Sequence, residues 1–140
     1  MIFTFDIPIY YEDTDAGGIV YYANYLKFAV RARTEFLHTL GLTNKEMLEQ
    51  GFAIVVRRVE IDYKSPAQLE DVISVSSSLL ELGAASMVMR QTMTRNDREL
   101  VNLKVYLAFI DVKALRPVRM PDALKEKLKP YLGEETCSRK

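Results

Sequence analysis

Histidine and cysteine are nearly missing from this chain of 140 residues: it holds one of each, His38 and Cys137, and no tryptophan. A structural zinc site wants about four Cys/His ligands and a disulfide wants a pair of cysteines, so neither is available and no metal is expected. Cys137 falls in the charged stretch from Gly133 to Lys140, which reads as a flexible, frayed tail where a lone thiol is inert. Net charge is also lacking. Nineteen Lys+Arg balance nineteen Asp+Glu, so the basic field of a general nucleic-acid binder is absent and no nucleic-acid partner is expected. Long apolar runs are lacking too: the longest uncharged run, Ala16 to Leu26, stops well short of the roughly 18 residues a membrane-crossing helix needs. Met1 opens a Phe/Ile segment without a basic leader, so the expectation is a reducing, cytoplasmic setting without membrane insertion.

What is present suffices for a folded core: 49% of residues are hydrophobic, with 8 Tyr and 6 Phe among them. The length suits one domain, placed over residues 1–132, with 133–140 as the tail. Ile2 to Tyr11 alternates loosely and is rich in β-branched and aromatic side chains, which predicts a strand with Pro8 at an edge or bend. From Ala23 to Leu40 the apolar residues Tyr25, Phe28, Ala29, Ala32, Phe36 and Leu40 recur at helical spacing, and Gly41 supplies the stop. A short helix over Asn44 to Glu49 follows, capped by Thr43 or Asn44.

After Gly51 the period changes to two. Strands are predicted over Ala53 to Lys64, Asp71 to Leu82, Ser86 to Arg95 and Glu99 to Val112, joined by short links that suit antiparallel neighbours. Val55, Val59, Ile61 and Tyr63 mark a core face of the first of these, Arg58, Glu60, Asp62 and Lys64 a wet face, and Arg57 breaks the pattern. A closing helix is expected from Pro121 to Leu132. The broad apolar face of the long helix needs a cover, and the sheet is the available one. This is an α+β architecture: an antiparallel five-stranded sheet wrapped around one long central helix.

The densest polar chemistry lies between the first strand and that helix, in Tyr11-Glu12-Asp13-Thr14-Asp15-Ala16-Gly17-Gly18-Ile19-Val20-Tyr21-Tyr22-Ala23-Asn24-Tyr25. Backbone N–H groups without intrahelical partners gather at a helix start, where they can polarise a carbonyl. A carboxylate beside them could attack an acyl carbon or activate water. Spacing alone equally allows Asp13 and Asp15 as loop acids or helix caps, with Gly17 and Gly18 serving a turn; a paired-acid Mg²⁺ site lacks a third local ligand.

This stretch resembles the signature of the 4-hydroxybenzoyl-CoA thioesterase family, a branch of the hotdog-fold acyl-CoA thioesterases. The resemblance continues through Arg31-Ala32-Arg33-Thr34-Glu35 and Ile61-Asp62-Tyr63-Lys64-Ser65-Pro66-Ala67 to Asp71, and the element order is that of a hotdog. It implies hydrolysis of an acyl-CoA thioester to a carboxylate and free CoA without a cofactor. Asp15 would be the nucleophile or general base, Asp13 a supporting residue, and the backbone amide of Tyr22 the donor to the thioester carbonyl. Gly17, Gly18, Ile19, Val20 and Tyr25 would border the substrate, and Arg57 and Arg58 are candidates for CoA phosphates, since guanidinium groups suit phosphate oxygens. At the Tyr22 position the bacterial short-chain group associated with the Tol-Pal envelope system often carries histidine, whereas the hydroxybenzoyl-CoA prototype has tyrosine. Val30 also departs from the former group, where a glutamate commonly precedes the Arg-Ala-Arg triplet.

Two other readings stay open. A hotdog dehydratase usually pairs histidine with an acid, but His38 lies sixteen residues past Tyr22, roughly 24 Å at helical rise. A non-catalytic acyl-thioester-binding or envelope-partner module could share the fold. The unpartnered face and edge of a single hotdog sheet predict a homodimer, and the family resemblance implies its assembly to a homotetramer, with an acyl-carrier protein or an envelope-system protein as further candidate partners.

Overall fold

The computed structural model describes residues 1–133, so Cys137 and nearly all of the expected tail lie outside the described residues. Five strands, β1 (Phe3–Pro8), β2 (Phe52–Tyr63), β3 (Val72–Leu82), β4 (Ser86–Arg95) and β5 (Arg98–Asp111), pair antiparallel in the order β1-β3-β4-β5-β2. Pro8, which has no amide to give a ladder, sits on the edge strand β1. Asn96 and Asp97, both at positive φ (50° and 67°), form the two-residue turn that joins β4 to β5.

Against this sheet lies α1 (Asn24–Thr39), which buries Tyr25, Phe28, Ala29, Ala32, Phe36 and Leu37. Leu37 joins that face, and Leu40, half-buried, packs against the same core. Phe28 and Phe36 meet a floor of Ile73, Val75, Leu79, Met89 and Leu103, all at most 1% exposed. Each such side chain contributes about 1.5–3 kcal/mol through burial. Gly41, at φ +82°, turns the chain out of α1 while the Leu42 N–H returns to the Leu37 carbonyl at 3.0 Å. Thr43 then caps α2 (Asn44–Glu49), its Oγ1 accepting the Glu46 N–H at 3.0 Å.

Three expectations need correction. A sixth strand, β6 (Arg116–Pro117), pairs with Ile110 and Asp111 at the end of β5. Two residues including a proline show no period, and the pairing depends on a tight turn in which Leu115 adopts φ 54° and returns its N–H to the Asp111 carbonyl. In β2 the register slips between Val56 and Arg58, so Arg57 is an extra, bulged residue. The core face therefore changes parity there: Ile54 and Val56 oppose the core residues Phe109 and Leu107, and Val59 and Ile61 oppose Val105 and Leu103. Val55 is opposite Ala108 on the outer face, and Arg57 marks the phase change. Finally, the closing helix is shorter than expected. It runs as α3 (Asp122–Leu128) and then tightens into a 3-10 turn, Lys129–Tyr131, because Pro130 offers no N–H to continue the α ladder.

Candidate active site

Between β1 and α1 the chain makes a 3-10 turn, Tyr11–Asp13, and then a miniature hairpin in which Thr14 bridges Val20. The Asp15 N–H reaches the Ile19 carbonyl at 2.9 Å and the Gly18 N–H reaches the Asp15 carbonyl at 3.0 Å. The loop is thus Ala16-Gly17-Gly18, and Gly18 supplies the left-handed residue (φ +78°) on which three-residue hairpins close. Gly17 donates its N–H to Asp15 Oδ1 at 2.8 Å. Among the described residues, Asp15 Oδ2 accepts nothing, and the carboxylate is exposed.

Asp13 behaves differently. It is 7% exposed, its Oδ2 accepts the Tyr10 N–H at 2.9 Å, and its carbonyl accepts both the Tyr21 N–H at 3.2 Å and Asn24 Nδ2 at 2.8 Å. It ties the hairpin to the first turn of α1. Neither acid caps that helix: Ala23 is the N-cap and brings no side-chain bond. The Tyr22 N–H, just ahead of it, meets no acceptor among the described residues.

The segment after β2 closes the other wall. Val20 donates to the Ala67 carbonyl and Leu69 to the Gly18 carbonyl, both at 2.9 Å, and the Ala67 N–H donates to Tyr25 Oη at 2.9 Å. Asp71 Oδ2 accepts the Gln68 N–H at 2.8 Å and pairs with Arg95 Nη1 at 2.6 Å, fixing the far end of this segment. Tyr63, at the end of β2, stacks edge-on to Tyr22 (6.1 Å between ring centres), leans on Tyr25 (5.7 Å) and donates its hydroxyl to the Tyr22 carbonyl at 3.3 Å. Burial pushes the phenols of Tyr25 and Tyr63 above the usual tyrosine range; the Ala67 N–H opposes this at Tyr25, and the Tyr22 phenol adds to it at Tyr63.

The result is an open groove of about 450 Å³ bordered by Asp15, Ile19, Val20, Tyr22, Tyr25 and Tyr63, with Lys64, Ser65 and Pro66 on its rim. It brings together most of the residues singled out from the sequence, while Gly17 and Gly18 shape the hairpin that carries Asp15. It does not include Arg57 or Arg58. Arg58 lies further along β2 with Nη2 2.5 Å from Glu60 Oε2 and its guanidinium over the Tyr106 ring, and Arg57 occupies the exposed bulge. His38 sits in the last turn of α1, exposed, 3.8 Å from Glu35, at the opposite end of the helix from the groove. Tyr63 and the Lys64–Pro66 rim were not assigned from the sequence; an aromatic residue closing a strand directly before a Ser-Pro break was the available signal. Among the described residues no group of three or more His, Cys, Asp or Glu could hold a metal ion, and no helix is long and apolar enough to cross a membrane.

A sheet in this strand order around one helix defines the class: a hotdog-fold domain, here with an acid hairpin and, among the described residues, an unclaimed amide at the helix entrance. Comparison with known proteins narrows this. The thioesterase-like superfamily profile matches residues 10–128. The acyl-CoA thioesterase YbgC of Haemophilus influenzae is 42% identical over 124 residues, covering 88% of this chain and 91% of its own. The acyl-CoA thioester hydrolase YbgC of Escherichia coli O6:H1 is 31% identical over 129 residues, covering 91% and 96%. A crystal structure of a probable thioesterase from Bartonella henselae superposes with a TM-score of 0.81 at 32% identity, covering 86% of this chain and all of that one (100%). The chain belongs to the thioesterase-like superfamily.

Proposed function

We propose that this chain hydrolyses an acyl-CoA thioester to a carboxylate and free CoA, with Asp15 as nucleophile or general base and the Tyr22 amide polarising the carbonyl. The observation that carries the reading is that Asp15 borders the same groove as Tyr22, and that among the described residues one Asp15 carboxylate oxygen is unclaimed and the Tyr22 amide has no acceptor. The relatives named as acyl-CoA thioesterases support the reaction and the substrate class. Either Asp15 attacks the carbonyl carbon, expelling CoA thiolate to leave a mixed anhydride that water cleaves, or it takes a proton from water as that water attacks. In both routes the oxygen gains negative charge in the tetrahedral state, where a fixed N–H is most effective.

The assembly belongs to the same reading. β2 pairs with β5 on one side, and its other edge is free among the described residues. Beside it Leu26, Val30 and Val56 are exposed on α1 and β2. A second copy covering this seam gives a homodimer, and two of these a homotetramer, with Asp15 of one subunit facing strands of another. Arg57 and Arg58 would then meet CoA phosphates across the subunit boundary. An acyl-CoA substrate suits a cytoplasmic protein, and the same groove could take an acyl-carrier-protein thioester; an envelope-system protein is a further possible partner. Residues 1–132 form the catalytic unit in this reading.

Thiol release from a panel of acyl-CoAs by wild type and Asp15→Asn tests the proposal. A loss of about 10²–10⁴-fold is expected on the substrates the wild type cleaves. A wild type inert across the panel, or an unaffected variant, would overturn the assignment. Sedimentation at micromolar concentration should show a dimer or larger.

A further inference from the structure

Tyr25 is 2% exposed and yet borders the groove. Its ring is held edge-on to Phe28 at 6.0 Å and against Tyr63 at 5.7 Å, so the hydroxyl has little freedom of position. A phenol has one hydrogen to donate and an oxygen that can accept. Here the oxygen is used, because it accepts the Ala67 N–H at 2.9 Å. That bond fixes the oxygen as acceptor, and its own hydrogen must point elsewhere. Among the described residues no acceptor takes it: the Tyr63 hydroxyl donates to the Tyr22 carbonyl, and no hydrogen bond joins the two phenols. An enclosed donor without a partner is costly and uncommon in native structures. The groove is the place where a partner can enter.

We propose that the Tyr25 hydroxyl donates a hydrogen bond to the thioester carbonyl oxygen, as the second oxyanion donor beside the Tyr22 amide. This rests on the thioesterase reading above and adds to it a side-chain donor whose strength can be tuned. The Tyr22 amide stands two residues ahead of α1 and Tyr25 lies in its first turn, and both residues border the one groove. Two donors of different kinds, a backbone N–H and a phenol, then meet one oxygen as its charge grows. Burial keeps the phenol protonated and able to donate at neutral pH. The titratable groups that face the Tyr25 hydroxyl or border its groove are Tyr63 on β2, Asp71 and Arg95 across the Ser65–Asp71 segment and β4, and Asp15, Tyr22 and Lys64.

The test uses the full chain. Tyr25→Phe keeps the ring and removes the hydrogen, so kcat should fall by about 10²–10³-fold with KM little changed. On a bound acyl-CoA ketone analogue, in which CH₂ replaces the sulfur, the same variant should move the carbonyl stretch to higher frequency, since one donor is gone. A merely structural tyrosine would leave that stretch in place, and an unchanged stretch overturns the proposal. Because Tyr25→Phe also strips Ala67 of its acceptor, a difluorotyrosine introduced at position 25 provides a second arm that preserves shape and acceptor while making the phenol more acidic. It should shift the alkaline limb of kcat to lower pH; an alkaline limb that does not move overturns the proposal. If the wild type cleaves no thioester, the thioesterase reading fails, while the stretch on the bound analogue still reports on the Tyr25 donor.

Discussion

Arg33 of α1 and Gln91 of β4 meet beneath the long helix, Nη1 to Oε1 at 2.8 Å, and among the described residues no carboxylate joins them. Gln91 is fully enclosed and spends its whole amide there: Nε2 donates to the Ala29 carbonyl at 3.0 Å and to Ser77 Oγ at 3.1 Å, and Oε1 receives Arg33. A neutral side chain thus fastens the helix to two strands. Burial, with no anion to offset it, holds the Arg33 guanidinium down to about 10.

Replacing Gln91 with leucine leaves Arg33, the Ala29 carbonyl and Ser77 short of a partner together. A loss of about 2–3 kcal/mol in urea unfolding is expected, because the abandoned groups stay enclosed. Gln91→Glu offers a contrast: it supplies the missing charge to Arg33 but sets an acceptor against the Ala29 carbonyl, so it should recover only part of the loss.

Gly18 holds φ +78° at the close of the hairpin that carries Asp15, and space for a Cβ is open there. The cost of Gly18→Ala is therefore conformational, about 1–2 kcal/mol. Thermal unfolding should show that loss, and thioester hydrolysis should fall further than stability explains, since Asp15 is displaced. Gly18→Asn, which tolerates the left-handed region, should be milder in both measurements.

For the stability of the fold, Arg57 matters by being present, not by its side chain. Arg57→Ala should change stability by at most about 0.5 kcal/mol, as expected of an exposed substitution. Deleting the residue removes the bulge and turns Ile54 and Val56 to the outer face. The deletion should cost several kcal/mol, about 3 or more, or abolish soluble expression.

Asp111 accepts the N–H groups of Ala114 and Lys113, and these bonds hold its carboxyl below the ordinary range, that of Ala114 most strongly. A carboxyl depressed in the folded state contributes stability above its unfolded pKa and loses it as pH falls through the folded value. Asp111→Ala should therefore unfold at lower urea than wild type at pH 7, with the gap narrowing below about pH 4. A gap that stays constant down to pH 2 would count against this linkage.

The helix and the long strands were legible because burial imposes a period: α1 and α2 read to within about a residue of their observed ends, as did β3, β4 and β5. The two-residue β6 was not, since a strand that short has no period, and the parity change in β2 was not, since a bulge alters phase without altering composition. At the site, the Asp15 hairpin and the helix entrance were legible from the acids and glycines. Tyr63 was read as a core-facing strand residue, because alternation says which side of a sheet a residue takes, not whether α1 extends far enough to cover it. It is 46% exposed and faces the groove. The pairing of Arg33 with Gln91 was not legible, because a polar residue on an inward phase looks like noise until its partner, far away in sequence, is placed beside it.

The Asp13 carbonyl, taking one hydrogen from the Tyr21 backbone and another from the Asn24 amide, makes the acid hairpin and the head of α1 a single rigid piece. The spacing between Asp15 and the Tyr22 amide is therefore set within this piece, and Tyr63 braces it from β2 through its hydroxyl on the Tyr22 carbonyl. If Asp15 and the Tyr22 amide carry the reaction as proposed, a change of acyl group calls for new furniture among Ile19, Val20 and Pro66 and no new chemistry.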